Sequence, residues 1–363
     1  MRIKAAAVRA ALLFGVVLNA QDPGPSSAKP QFYTGVAYGS GAQFNPFSAW
    51  ITYAFDTLQV NSSFDDGSLR ERWGQVRWDL THVNSAIRLE GGWTAFVNRQ
   101  VLPYRFTEKD WVPNYSLHLL GGGMIYRKNA EWLEAHGQPY PRLTAAVLNM
   151  SAELLQEVIE KKSTKHDDEI ADVFIFEPAG ILLYSYEPFA RWSADTLHLV
   201  DWPYQAMYDP NRPRTGGGRG GLVNVGQNFA ARPELFGSRN HRAFVYFGMT
   251  TLAGLSHRIT AEHSVSWGFG AAITHAKDPT TTRYAGGLFW DRNDSLMGSL
   301  IVNGTEDLKV RLNLYPGIVG PGSWWSPGLF VGLGPNREIA AGLTLRILPV
   351  GLAGRSRQNP GTP

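Results

Sequence analysis

From about residue 211 onward, apolar and polar positions alternate with a period of two, the spacing of a strand with two unlike faces. In HSVSWGFGAAITHA, Val265, Trp267, Phe269, Ala271 and Ile273 alternate with Ser264, Ser266, Gly268, Gly270, Ala272 and Thr274. DLKVRLNLY sets Leu308, Val310, Leu312 and Leu314 against Lys309, Arg311, Asn313 and Tyr315, and REIAAGLTLRIL sets Ile339, Ala341, Leu343, Leu345 and Ile347 against Ala340, Gly342, Thr344 and Arg346. GLVNVGQNF, RAFVYFGMTTLAG, TTRYAGGLFW, SLMGSLIV and PGLFVGLG complete a set of about eight strands. One greasy face and one small or charged face suit a strand between lipid and a polar lumen, where every backbone group pairs within the sheet. The competing arrangement, a soluble sandwich, turns two apolar faces toward each other. Trp267, Tyr284, Trp290, Trp324 and Trp325 fall near strand ends or turns, where interfacial aromatics sit.

Upstream of residue 211 the period becomes that of a helix. Leu69, Trp73, Val76, Leu80, Val83 and Ile87 recur at spacings of four and three before Gly91 and Gly92. NYSLHLLGGGMIYRKNAEWLEAHG reads as a second helix, and Pro141 opens a third with Leu143, Val147, Met150, Leu154 and Val158 on one stripe. A fourth, from Asp167, is interrupted by Pro178 and Gly180. Before the helices, FYTGVAYGS and SAWITYAFD read as the first strands of the barrel, which makes the helical block an insertion.

Charge divides the chain at the same place. Residues 21–210 carry 15 Lys and Arg against 23 Asp and Glu, whereas residues 211–363 carry 16 against 8. The near-neutral total of +3 conceals an acidic block and a basic one. The start, MRIKAAAVRAALLFGVVLNA, has a basic flank, a short apolar run and a small residue, the order of a secretory signal peptide cleaved after Ala20. Absence of cysteine excludes a disulfide framework, a thiol nucleophile and lipoprotein acylation. The 39 glycines and 44 aromatic residues (12 Trp, 14 Tyr, 18 Phe) fit a glycine-tolerant, aromatic-girdled barrel.

Within the acidic block, Glu153, Glu157 and Glu160 share one helix face, and Asp168 and Asp172 form a second pair four residues apart. Stacked like charges disfavour an isolated helix and call for a partner. An E-x-x-x-E helix, a polar link with D-x-x-x-D, and an apolar stretch with Pro and Gly together resemble a class of uncharacterised bacterial outer-membrane barrel proteins with a helical Glu/Asp-rich insert. The resemblance covers about residues 111–185 and matches Glu153, Glu157, Asp172 and Gly180, with His118 standing for an upstream histidine motif. It implies an envelope protein and transfers no activity.

These readings give an α+β chain: a transmembrane-type antiparallel β-barrel of about 8–12 strands with an inserted acidic helical segment that plugs or caps it. Its divisions are a signal peptide at 1–20, a flexible leader at 21–30, first barrel strands within 31–62, the helical insert at 63–195, the barrel at 196–350 and a tail at 351–363. His118, Glu153, Glu157, Asp168, Asp172 and Gly180 form the expected binding or structural polar cluster, its carboxylates neutralising lumen Arg and Lys. His118 with the acids could offer metal an N/O donor set, but no metal motif fixes them together, so neither metal nor cofactor is expected. No catalytic residue is assigned. The expected role is structural, binding or gated passage in the bacterial outer membrane, with the periplasm as the alternative location. Membrane lipid, and lipopolysaccharide or a phosphorylated glycan at arginine-rich loops around 212–242, are the expected partners, and nucleic acid is not. The enzymatic alternative is a membrane-embedded hydrolase of envelope lipid or glycan using His118 with Glu153 or Glu157; no H-x-S pair on one strand face or G-x-S-x-G turn supports it.

Overall fold

The computed structural model describes residues 31–59, 68–102, 111–161, 166–213, 219–272, 284–304, 308–334 and 338–356, so the signal peptide and leader lie outside the described residues. Helices come first: α1 Gly39–Gln43, α2 Pro46–Ala54, α3 Leu69–Thr81, α4 Val83–Leu89 and α5 Trp93–Phe96. They are followed by α6 over residues 111–135, α7 Pro141–Glu160, α8 over residues 168–185 and α9 Glu187–Asp195. No described helix is long and apolar enough to cross a membrane.

The expected first strands are helical or irregular instead. Asn45 accepts hydrogen bonds from the amides of Phe47 at 3.1 Å and Ser48 at 2.9 Å, and Pro46 occupies the first turn of α2. This cap and the proline's fixed φ start a helix that outweighs the β-branched alternation of SAWITYAFD. Pro178 and Gly180 do not break α8 either, because Pro178 falls at the first turn of an α-helical stretch that follows a π-helical one.

Fourteen strands form one mixed sheet: β1 Val200–Asp201, β2 Met207–Pro213, β3 Arg219–Val223, β4 Phe229–Ala231, β5 Glu234–Leu235, β6 Ser238–Phe247, β7 Thr250–Arg258, β8 His263–Ala272, β9 Tyr284–Arg292, β10 Ser295–Asn303, β11 Val310–Leu314, β12 Pro327–Leu333, β13 Ile339–Leu345 and β14 Gly351–Arg355. Their order is β1-β4-β6-β7-β8-β9-β10-β11-β12-β13-β14-β2-β3, with β5 beside β6. All pairs are antiparallel except β14 with β2. The stretch expected as a tail therefore begins with a strand, since Gly351 lets the backbone lie close against Met207.

The two ends of this order are segments of a single hairpin. Val200 pairs with Ala230 and Met207 with Val223, and between them the amide of Trp202 donates to Asn228 O at 2.7 Å and that of Tyr204 to Gly226 O at 2.9 Å. One unbroken register thus runs from residue 200 to residue 209 against residues 221 to 230. The arm with β4 continues onto β6, and the arm with β2 continues onto β14.

Apolar side chains cover the exposed face of the sheet in cross-strand rows. One row runs Leu255, Trp267, Leu288, Leu300, Leu312, Val331, Ala341; another runs Leu314, Leu329, Leu343, Leu352, Tyr208. Of these, Leu255, Trp267, Leu288, Leu300, Leu312, Leu329, Val331, Leu343, Leu352 and Tyr208 are exposed. The opposite face is buried and mixed: Ser256, Ser266, Ser299, Asn303, Arg311, Asn313 and Thr344 beside Phe244, Tyr246, Phe289 and Phe330. Trp202 and Tyr204 enter this interior, and the guanidinium groups of Arg232 and Arg311 stack on them at 4.8 and 4.4 Å.

The helical block packs across β1, β4, residues 224–228 and the start of β10, with Leu117, Met124 and Tyr184 in one cluster with Phe229 and Phe247. Two sheet arginines pair with acids of the sheet rather than with helical carboxylates. Arg232 pairs with Asp291 and Asp294, and Arg355 with Asp209 and Glu338, all within the sheet. An ion pair of the reverse polarity crosses between the two parts, Lys128 of α6 with Asp201 of β1. Alternation places Asp209 and Asp291 on the buried face, where Arg355 and Arg232 meet them.

Candidate functional site

Three helices bring titratable groups to one buried point. Asn149, Glu153 and Glu157 recur every four residues along α7, so they share a face, and all three are buried. His118 lies in a π-helical stretch of α6, Asn114–Gly122, and Asp172 opens a π-helical stretch of α8, Asp172–Phe176, with Glu177 directly after it. A five-residue spacing would separate Asp172 from Glu177 on an α-helix; the wider π turn brings both to the same side. Tyr53, from α2, closes the cluster.

Gly180 and Gly123 make the approach of α6 and α8 close enough. A Cβ on Gly180 would lie 2.6 Å from Leu119 O and 3.0 Å from His118 O, and one on Gly123 would lie 2.7 Å from Gly180 O. Gly122 likewise leaves the room that Glu177 and the Tyr53 hydroxyl occupy. The glycine run of α6 is therefore a contact surface.

The polar geometry follows. His118 Nδ1 lies 3.0 Å from Glu153 Oε2, and its Nε2 lies 3.7 Å from Asp172 Oδ2. The Tyr53 hydroxyl lies 3.0 Å from Glu153 Oε2 and 2.8 Å from Glu177 Oε2. Asn149 Nδ2 donates to Gly122 O at 2.8 Å and also to Glu177 Oε1. Glu153 Oε1, Asp172 Oδ1 and Asn149 Oδ1 are buried without a hydrogen bond. Glu157 is 6% exposed, and its carboxylate makes no hydrogen bond among the described residues.

Electrostatics here favour protons over bare charge. Burial, then repulsion from Asp172 and Glu153, holds the Glu157 carboxyl well above the ordinary range, and burial does the same for Asp172 against the pull of His118. Burial and Glu153 push Glu177 up to about 8, although His118, Tyr53 and Asn149 oppose the shift. Burial draws His118 down, but Asp172 and Glu153 together outweigh it and hold the imidazole well above its usual value.

Four of the six residues expected in the polar cluster, His118, Glu153, Glu157 and Asp172, meet directly, and Gly180 forms the helix crossing beneath them. Asp168 stands one turn before Asp172, accepts a hydrogen bond from Gln100 at 3.1 Å and acts on the cluster through its repulsion of Asp172. Sequence reasoning missed Tyr53 and Glu177. The first lay in a segment read as a strand, and the second is out of phase with Asp172 on a regular helix. Glu153 stands at hydrogen-bond distance from His118 Nδ1, whereas Nε2 lies 3.7 Å from Asp172 Oδ2, too far for a hydrogen bond.

Two triads within the cluster have the spacing of a metal site. His118, Glu153 and Glu177 offer one ligand atom each within 4.8 Å of one another, as do Glu153, Glu157 and Asp172. Comparison with known protein families, curated proteins and solved structures finds no match.

Proposed function

We propose that this chain is a bacterial outer-membrane β-barrel protein whose helical block caps the barrel, and that its role is structural and binding. The carrying observation is the inverted sheet: continuous rows of leucine, valine and aromatic side chains face outward, while serine, asparagine, threonine and arginine are buried. Lipid is the solvent that makes this arrangement favourable. A sandwich would bury the leucines of Leu300 and Leu329 type against a second sheet, and no second sheet lies against them among the described residues.

Strand parity supports a closed ring. The hairpin spanning residues 200–231 contributes two arms and β6 to β14 contribute nine strands, giving eleven around the sheet. An antiparallel ring with an odd number of strands needs one parallel pair, and β14 with β2 is such a pair. Exposed Tyr284, Trp324 and Trp325 beside strand ends suit the membrane interface. The aromatic filling of the interior by Trp202, Tyr204, Phe244 and Phe289 favours anchoring and binding over a standing aqueous channel.

Membrane lipid is then the partner of the outer face. Of the arginines expected to attract lipopolysaccharide or phosphorylated glycan, Arg212, Arg232 and Arg242 are buried, Arg219 and Arg239 are on the surface for that role, and Arg214 lies outside the described residues. Outer-membrane fractionation and gel migration before and after boiling test the proposal. Co-sedimentation with outer membrane and heat-dependent migration are expected; release by mild salt into the soluble fraction would refute it.

A further inference from the structure

The helical block contains more buried acid than its own bases can balance. Glu153, Glu157, Asp172 and Glu177 are each at least nine-tenths buried, and the described base in ion-pair contact with them is His118. A buried carboxylate is normally paired, hydrogen-bonded or bound to metal. Glu157 is none of the first two: its side chain makes no hydrogen bond among the described residues, yet a carboxylate oxygen points within 4.8 Å of ligand atoms on Glu153 and Asp172. Glu153 and Asp172 each also carry a buried oxygen without a hydrogen bond. In addition, His118 and Asp172 are both presented from π-helical turns, a backbone irregularity that recurs at functional sites.

We propose that this cluster is a buried site for two divalent cations, with His118, Glu153 and Glu177 ligating one ion, Glu153, Glu157 and Asp172 ligating the other, and Glu153 bridging them. The donor set selects the class of metal. An imidazole among carboxylates suits a first-row ion such as Mn²⁺, Fe²⁺ or Zn²⁺ and is not a ligand that Ca²⁺ or Mg²⁺ recruits. Four carboxylates offset the charge of two such ions, with no further base required. The surrounding hydrogen bonds already orient ligands: the Tyr53 hydroxyl bridges Glu153 and Glu177, and Asn149 holds the far oxygen of Glu177. The inference stands apart from the membrane reading, since every ligand comes from the helical block.

The full chain, refolded into detergent with and without Mn²⁺ or Zn²⁺, is desalted and its metal content measured by mass spectrometry, with heat-dependent gel migration and circular dichroism as independent checks of folding. Two equivalents are expected in the wild type. Glu157→Gln, which alters no described hydrogen bond, is expected to fold and lose one equivalent; Glu153→Gln is expected to lose both. Tyr53→Phe keeps all ligands and is expected to weaken binding about 10–100-fold. Folded wild type that retains neither metal overturns the proposal, as does an undiminished complement in folded Glu157→Gln. One equivalent only in the wild type overturns the bridged pair.

Discussion

A methyl group added at Gly180 has nowhere to go, because the atoms it meets are backbone carbonyls of Leu119 and His118 that cannot rotate aside. Gly180→Ala must therefore part α6 from α8, at a cost of about 1–3 kcal/mol typical of overpacking. Thermal unfolding followed by helical circular dichroism is expected to show the loss. Asp56 offers a second test at this scale. Burial pushes its carboxyl up to about 8 even though Gln227 N–H and Gln59 donate to it. The folded chain thus prefers the protonated acid more than the unfolded chain does. This contribution is fully present below the ordinary carboxylate range and disappears as pH rises through about 8. The midpoint of thermal unfolding is expected to fall between about pH 4 and about pH 8, and Asp56→Asn, which stays neutral, is expected to shrink that fall.

Among the elements, α2 is set by its start. Asn45→Ala removes the acceptor for two amides and is expected to destabilise the helical block by about 1 kcal/mol, read as a lower denaturant midpoint with unchanged slope. The same element shows where reading the sequence succeeds and fails. The face shared by Glu153 and Glu157 was legible because α7 is a regular helix, and regular period is a local property. Tyr53 was illegible because alternation in ITYA competes with a cap three residues before Ser48, and the cap prevailed. Glu177 was illegible because a five-residue spacing from Asp172 is out of phase on a regular helix, and nothing in the local sequence announces the π turn at Asp172–Phe176 that brings the two together. Asp168 lies one α-helical turn before Asp172, as the four-residue spacing implied, and its charge adds to the repulsion that Asp172 feels.

Across the whole molecule, substitutions should sort by face. Leu300→Arg and Leu329→Arg put charge on the exposed apolar rows, and each is expected to cost about 2–4 kcal/mol in a bilayer and to reduce the heat-modifiable form, whereas Ser256→Ala on the buried face is expected to leave it intact. The strand faces were legible throughout this region, since pleating alone dictates them: Leu312 is out and Arg311 and Asn313 are in, as the alternation implies. Partner choice was not. The pairing of β14 with β2 joins Met207 to Gly351 and Tyr208 to Leu352, and nothing near either segment announces the other. That junction rests on two rungs, whereas β7 and β8 share nine. It is the natural seam of the sheet: the last contact to zip during assembly, because its two sides are so far apart along the chain, and the first to exchange its amide hydrogens when the molecule breathes.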